Sequence, residues 1–184
     1  MVRLFGYANN IVHLRRDGSV ARSASGFTIV ELLIVIVVIG ILAAITIVAF
    51  NGVQNRAYNT AIQSDLKNFK TKVEVYKIDN NDQYPDATQL PVLKFKASQA
   101  AYSAAPTDQS NLYYCYSATD RSIFGLVAKS KSGSGYSITN STGVQPYTGA
   151  YANPCTGLSA SLTNNYRGYA TDDVTDGPWR TWAR

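Results

Sequence analysis

From Leu32 to Phe50, nineteen consecutive residues carry no charge, and only Gly40 and Thr46 interrupt the aliphatic run. A helix needs about 20 apolar residues to cross the hydrocarbon core of a bilayer, so this stretch is long enough to span one. Two other readings compete with a membrane helix: a buried core helix of a soluble protein, and a secretory signal peptide. A signal peptide has a shorter apolar region, about 7–15 residues, and ends in a small-x-small cleavage site. Here the run is longer and ends in Phe50-Asn51-Gly52, a poor site. The arginines before the run and the neutral Asn51-Gly52 after it place the N-terminus in the cytoplasm.

Composition removes most enzyme classes. The 184 residues are 46% hydrophobic and 16% charged, which allows one ordinary domain plus an additional segment and excludes disorder as the main state. The sole histidine, His13, lies in the first segment, and two cysteines are too few for a zinc cluster. We expect no enzyme activity, no cofactor and no resident metal. Residues 1–26 hold four arginines against Asp17, a net +3, while the other 158 residues hold 13 basic and 11 acidic groups, a net +2. That balance gives nucleic acid little electrostatic support, and no basic stripe with interleaved aromatics is present.

Glu31 stands out. A carboxylate near the start of an apolar helix is costly to insert, on the order of 2.5–3.5 kcal/mol at the helix centre and less near an end. No Lys or Arg lies between Leu32 and Phe50, so the helix offers no cation at i+3 or i+4. The expected partner is the membrane interface, another chain, or a new amino terminus nearby.

Gly26-Phe27-Thr28-Ile29-Val30-Glu31-Leu32-Leu33-Ile34-Val35, continued through Gly40-Ile41-Leu42-Ala43-Ala44-Ile45, resembles the processing and methylation signature of type IV pilins and pseudopilins. The resemblance implies cleavage between Gly26 and Phe27 by a prepilin peptidase, N-methylation of Phe27, and Glu31 as the assembly carboxylate. It implies a leader over 1–26 and a polymerisation half of the helix over 27–50. The leader is long for that family. Val48 stands where many relatives carry a proline, which removes the usual cause of a kink.

The helical pattern continues past the membrane segment. Tyr58, Ile62, Leu66, Phe69, Val73 and Tyr76 recur at helical spacing and predict a core face over 51–78. Gln63, Asp65, Lys67, Lys70, Lys72 and Glu74 between them read as the solvent side. Asp79-Asn80-Asn81-Asp82 stops the helix, and Tyr84-Pro85 is extended. Residues 86–111 read as loop with one short helix. Leu112–Ala118, Ile123–Lys129 and Tyr136–Asn140 read as strands, joined by turns at Thr119-Asp120-Arg121 and Ser130–Gly135. The tail from Ser141 is loop-rich, with room for one further strand. The fold class is therefore α+β: a long N-terminal helix packed on a small antiparallel sheet, with a soluble head over 79–184.

Cys115 and Cys155 fall in the portion expected outside the cytoplasm, where disulfides persist. Many pilins close their C-terminal region with one bridge, so the resemblance implies a Cys115–Cys155 disulfide, against two free buried thiols. Asp172, Asp173 and Asp176 are clustered carboxylates that suit calcium, but their spacing does not match an EF-hand and the preferred reading is a solvated acidic turn. Asn140-Ser141-Thr142 fits a glycosylation sequon. Tyr113, Tyr114 and Tyr116 read as alternating strand residues whose outward members would contact a surface. The expected function is that of a structural filament subunit of a type IV pilus or pseudopilus. Its expected partners are copies of itself, the prepilin peptidase, the assembly platform and ATPase, and membrane lipid. The alternative is a minor pilin that binds a surface or DNA at a filament tip.

Overall fold

The computed structural model describes residues 26–103, 111–169 and 179–184. The chain divides into two compact units, Met1–Ala43 and Ala44–Arg184. Helix α1, Ile29–Asp79, contributes to both and is helical through Gly40, Val48 and Gly52. In its first half every residue is exposed, including each large aliphatic from Ile29 to Val48. By length and composition it is apolar enough to cross a membrane.

In the second unit α1 packs on a five-stranded antiparallel sheet. The strands are β1 Leu112–Tyr116, β2 Phe124–Lys129, β3 Gly135–Thr139, β4 Gln145–Pro146 and β5 Asn164–Arg167. Their spatial order is β4-β3-β2-β1-β5: four strands meander, and the fifth returns to lie beside the first. The three expected strands are present: β1 ends two residues early, β2 starts one residue late, and β3 is shifted by one residue toward the N-terminus. The tail supplies two strands where one was foreseen, together with a short helix, α2, Pro154–Leu158. Two 3₁₀ turns, Leu90–Leu93 and Gln99–Ala101, stand in the expected loop region.

The sheet is covered on both faces. Toward α1, Ile62, Leu66, Phe69 and Val73 meet Leu112, Tyr114, Phe124, Leu126, Ala128 and Ile138 in one buried cluster. Phe69 lies at its centre, with ring centroids 5.0 Å from Phe95, 5.5 Å from Tyr114 and 5.6 Å from Trp182. The opposite parity of the strands, Tyr113, Cys115 and Val127, packs against Tyr147, Cys155 and Leu162. Successive strand residues point to opposite faces. Tyr113 therefore meets the C-terminal layer instead of solvent, while Tyr114 and Tyr116 pack on the α1 side. Tyr113 is 3% exposed and Tyr114 is fully buried.

Helix α1 ends as its sequence requires. Asn81 and Asp82 adopt left-handed backbone at φ 54° and 57°, and the Asn80 side-chain amide donates to the Tyr76 carbonyl at 2.8 Å. Asx residues tolerate that conformation better than most and supply the local hydrogen bonds that replace the helix ladder. Tyr84 then turns into the core, donating its hydroxyl to Glu74 at 2.9 Å.

Two residues assigned to the solvent side are held by the fold, Asp65 buried and Lys70 half-buried. Asp65 is 5% exposed and accepts three hydrogen bonds: Ser98 N–H at 2.6 Å, Ser98 Oγ–H at 3.0 Å and the Tyr102 hydroxyl at 3.1 Å. Lys70 donates from Nζ to the carbonyls of Thr139, Asn140 and Thr142 at 2.8, 2.9 and 3.0 Å. Asp65 sits three residues beyond Ile62 and four before Phe69, so the helical period itself puts it on the apolar face. The spacing that found the core face could also have found Asp65.

Candidate functional site

The chemistry singled out by the sequence gathers at the start of α1. Gly26 and Phe27 precede the helix in non-helical conformation, and Phe27 is 82% exposed. Among the described residues nothing lies within 4 Å of where a Cβ on Gly26 would stand. The Gly26–Phe27 peptide bond is thus unobstructed by the described part of the chain.

Thr28 is the N-cap. Its carbonyl accepts the first helical hydrogen bond, from Leu32 N–H at 3.2 Å, and its Oγ1 accepts from Glu31 N–H at 3.2 Å. Glu31 reaches back in return. Its Oε2 accepts both the Thr28 N–H at 2.9 Å and the Thr28 hydroxyl at 2.8 Å. This reciprocal pairing is a capping box, which satisfies two of the donors that a helix start leaves unpaired. A carboxylate there also lies at the positive end of the helix dipole.

The expected partner of Glu31 is the membrane interface, another chain or a new amino terminus; within the chain, its partner is Thr28. The signal was present as Thr28-Ile29-Val30-Glu31, a Thr-x-x-Glu ahead of an apolar run. Phe27 and Leu32 occupy the positions flanking such a box and line one small cleft with Ile29, Leu33 and Ile36. What the arrangement offers chemically is recognition: one carboxylate in a long, fully exposed apolar surface.

The other residues singled out from the sequence lie elsewhere. Cys115 on β1 and Cys155 on α2 form a disulfide with Cα atoms 5.5 Å apart, fastening the C-terminal layer to the sheet. Asp172, Asp173 and Asp176 lie outside the described residues. Among the described residues no group of three His, Cys, Asp or Glu side chains is placed to hold a metal. The Asn140-Ser141-Thr142 loop is folded onto Lys70 through its carbonyls and braced by the hydroxyls of Thr139 and Thr142, 2.8 Å apart.

Residues 21–47 match the family model described as the prokaryotic N-terminal methylation motif. The type IV wide pilus major component PilA4 of Thermus thermophilus is 36% identical over 94 residues, which is 51% of this chain and 72% of that protein. The type II secretion system core protein G of Aeromonas hydrophila is 37% identical over 68 residues, 37% of this chain and 47% of that protein. Its counterpart in Escherichia coli K12 is 34% identical over 64 residues, 35% of this chain and 43% of that protein. The chain therefore spans less than half of the secretion proteins it matches. No solved structure matches the chain.

Proposed function

The chain belongs to the type IV pilin and pseudopilin family, and from that membership we propose that it works as a cleaved, N-methylated subunit polymerised through α1. It is a structural subunit of a filament and not an enzyme. The observation that carries the reading is the first half of α1: a fully exposed aliphatic surface with one carboxylate, Glu31, at its first turn. Such a surface is unstable in water and must be covered by lipid before assembly and by neighbouring helices after it.

In this reading the chain enters the membrane with residues 1–26 on the cytoplasmic side. A prepilin peptidase cuts after Gly26 and methylates the Phe27 amine. The amine carries a positive charge after methylation, and Glu31 of a neighbouring copy pairs with it in the low-dielectric core of the filament. The pairing offsets the desolvation of both groups, whereas an unpaired carboxylate remains a penalty. The apolar surface supplies attraction without direction, and Glu31 supplies register. An assembly platform and ATPase provide the work of extracting the helix from lipid. The resulting filament lies at the cell surface.

The adhesive-tip alternative draws on the Tyr- and Thr-rich C-terminal region. The strand tyrosines Tyr113 and Tyr114 add no contact surface to it, since they are buried under the C-terminal layer and against α1. The test is mass spectrometry of the N-terminal peptide from sheared filaments. The peptide should begin at Phe27 with one added methyl group. Assembled material that retains residues 1–26 would end the prepilin reading.

A further inference from the structure

Strand β2 runs back along α1. At one end the Phe124 ring lies against Tyr84, with centroids 4.7 Å apart, and the Tyr84 hydroxyl donates to Glu74. At the other end the β2–β3 turn lands on the helix. The Ser132 hydroxyl donates to Asn59 Oδ1 at 2.6 Å, and Lys131 Nζ stands 5.5 Å from the centre of the Tyr58 ring. From Glu74 back to Asn59 is about 22 Å along the helix axis. The turn over residues 130–135 therefore points toward the apolar end of α1.

That end continues within the same unit. Ile45, Ile47, Val48, Phe50 and Val53 are each at least 59% exposed, and the first charge after them is Arg56, also exposed. Tyr58 lies about 12 Å beyond Phe50 along the axis. A headgroup layer is roughly 5–8 Å deep on each side of the hydrocarbon. With the hydrocarbon edge at Phe50, a lysine side chain at the level of Tyr58 reaches that layer.

Charge and aromatic content fit this position. Residues 44–64 and 129–135 hold Arg56, Lys129 and Lys131 and no Asp or Glu. Beside the turn, Tyr102 pairs with Ser130 and meets Trp179 edge-on at 5.2 Å, which leaves that indole half-buried at the same end. Basic groups with amphipathic aromatic rings suit a membrane–water boundary. The far end of the head differs, with Asp79, Asp82 and Asp120 exposed.

We propose that, while α1 holds the chain in the membrane, the β2–β3 turn rests on phospholipid headgroups. Lys131 and Arg56 meet phosphate oxygens, and Tyr58 and Trp179 lie beside them at the boundary. The proposal rests on the reading of α1 as a membrane helix. The head is thereby steadied against the bilayer, and these contacts are given up when the helix leaves lipid.

Lys77 supplies the control, because its Nζ stands 5.1 Å from the Tyr84 ring, the same arrangement at the other end of the head. The full chain is reconstituted in vesicles of phosphatidylcholine with phosphatidylglycerol, and in vesicles of digalactosyl lipid, a bilayer without phosphate. Acetylation of each lysine by an amine-reactive ester is followed by mass spectrometry. The Lys131-to-Lys77 rate ratio should be roughly fivefold lower in the phospholipid vesicles. Equal ratios in the two bilayers, with the protein retained after an alkaline wash, would overturn the headgroup contact and leave the membrane helix standing. A difference that vanishes when the chain is diluted in lipid would make a second copy the occupant, and would overturn the proposal as well. Protein lost in the wash would remove the reading of α1, and this inference with it.

Discussion

The hydroxyl of Tyr102 donates to the Asp65 carboxylate at 3.1 Å, joining the buried face of α1 to the segment before β1, and neither residue is more than 5% exposed. Ser98 completes the site with its N–H and hydroxyl. A buried carboxylate is tolerated only when donors replace water, and three do so here.

The first prediction concerns that site. Asp65→Ala leaves three donors without an acceptor and should cost roughly 2–4 kcal/mol. Asp65→Asn keeps an oxygen for Ser98 N–H and Tyr102 and turns an amide toward Ser98 Oγ, so it should cost less than about 1.5 kcal/mol. Burial holds the Asp65 carboxyl above the usual aspartate range, against the pull of its three donors. The native state therefore keeps a proton that the unfolded chain has released. The associated stability is present below the ordinary aspartate range and is lost as pH rises through the raised value. Asp86 runs the other way: burial would raise it, but bonds from Thr88 and Gln89 and the charge of Arg121 leave it low. Its contribution is lost as pH falls. Melts of the detergent-solubilised full chain should show Asp65→Asn gaining on the parent as pH rises from about 4 to 7. A gap that stays constant over that interval refutes the assignment.

Lys70 is a cation built into the β3–β4 connection. Its ammonium has three N–H groups, and three backbone carbonyls receive them. Lys70→Met keeps the aliphatic stem and removes the donors, leaving carbonyls of residues 139–142 to find water. The expected loss is about 1.5–3 kcal/mol, with faster amide exchange concentrated in that loop. Lys70→Arg should rescue only in part, because a planar fork does not match three converging carbonyls. Unchanged exchange in Lys70→Met would show the loop to be held by its own threonine hydroxyls.

Reduction of the Cys115–Cys155 bridge should loosen the outer layer before the helix-facing core. The residues it encloses set a chain-entropy contribution of roughly 3–4 kcal/mol. Double replacement by Ala should lower the Tm by roughly 10 °C. The contacts of Tyr147 and Leu162 with the sheet depend on that layer, whereas Phe69 and its ring partners do not. Tyrosine signals of the outer layer should therefore change at lower temperature than the Trp182 fluorescence. A single shared transition at an unchanged Tm would contradict this.

Gly135 opens β3 where the Tyr147 carbonyl and the Tyr151 hydroxyl close over it, and a Cβ there would collide with both. The Tyr147 N–H donates to the Gly135 carbonyl at 2.9 Å, so the two backbones cannot simply move apart. Gly135→Ala should cost roughly 1–3 kcal/mol, as overpacking against backbone does. Gly143→Ala faces open space at ordinary backbone angles and should be neutral or stabilising by a few tenths of a kcal/mol. Equal effects at the two positions would show the close approach to be unimportant.

Local pattern carried a large part of this molecule. The uncharged run from Leu32 to Phe50, the helical period from Tyr58 to Tyr76 and the Asx cluster after Ile78 determined α1 and its end, because each acts within a few residues of itself. The same holds for the capping box, written in Thr28-x-x-Glu31. Strands β1 to β3 were legible in their β-branched and aromatic content. Strands β4 and β5 were not, since Gln-Pro and Asn-Asn-Tyr-Arg have little strand preference and exist only through their pairing with β3 and β1. Only the tertiary structure decided that β5 returns beside β1 and that the C-terminal layer covers Tyr113. It also decided that Lys70 finds three carbonyls about seventy residues away. Those contacts close long loops, and their free energy lies in burial and pairing between distant segments, which no window of the sequence contains.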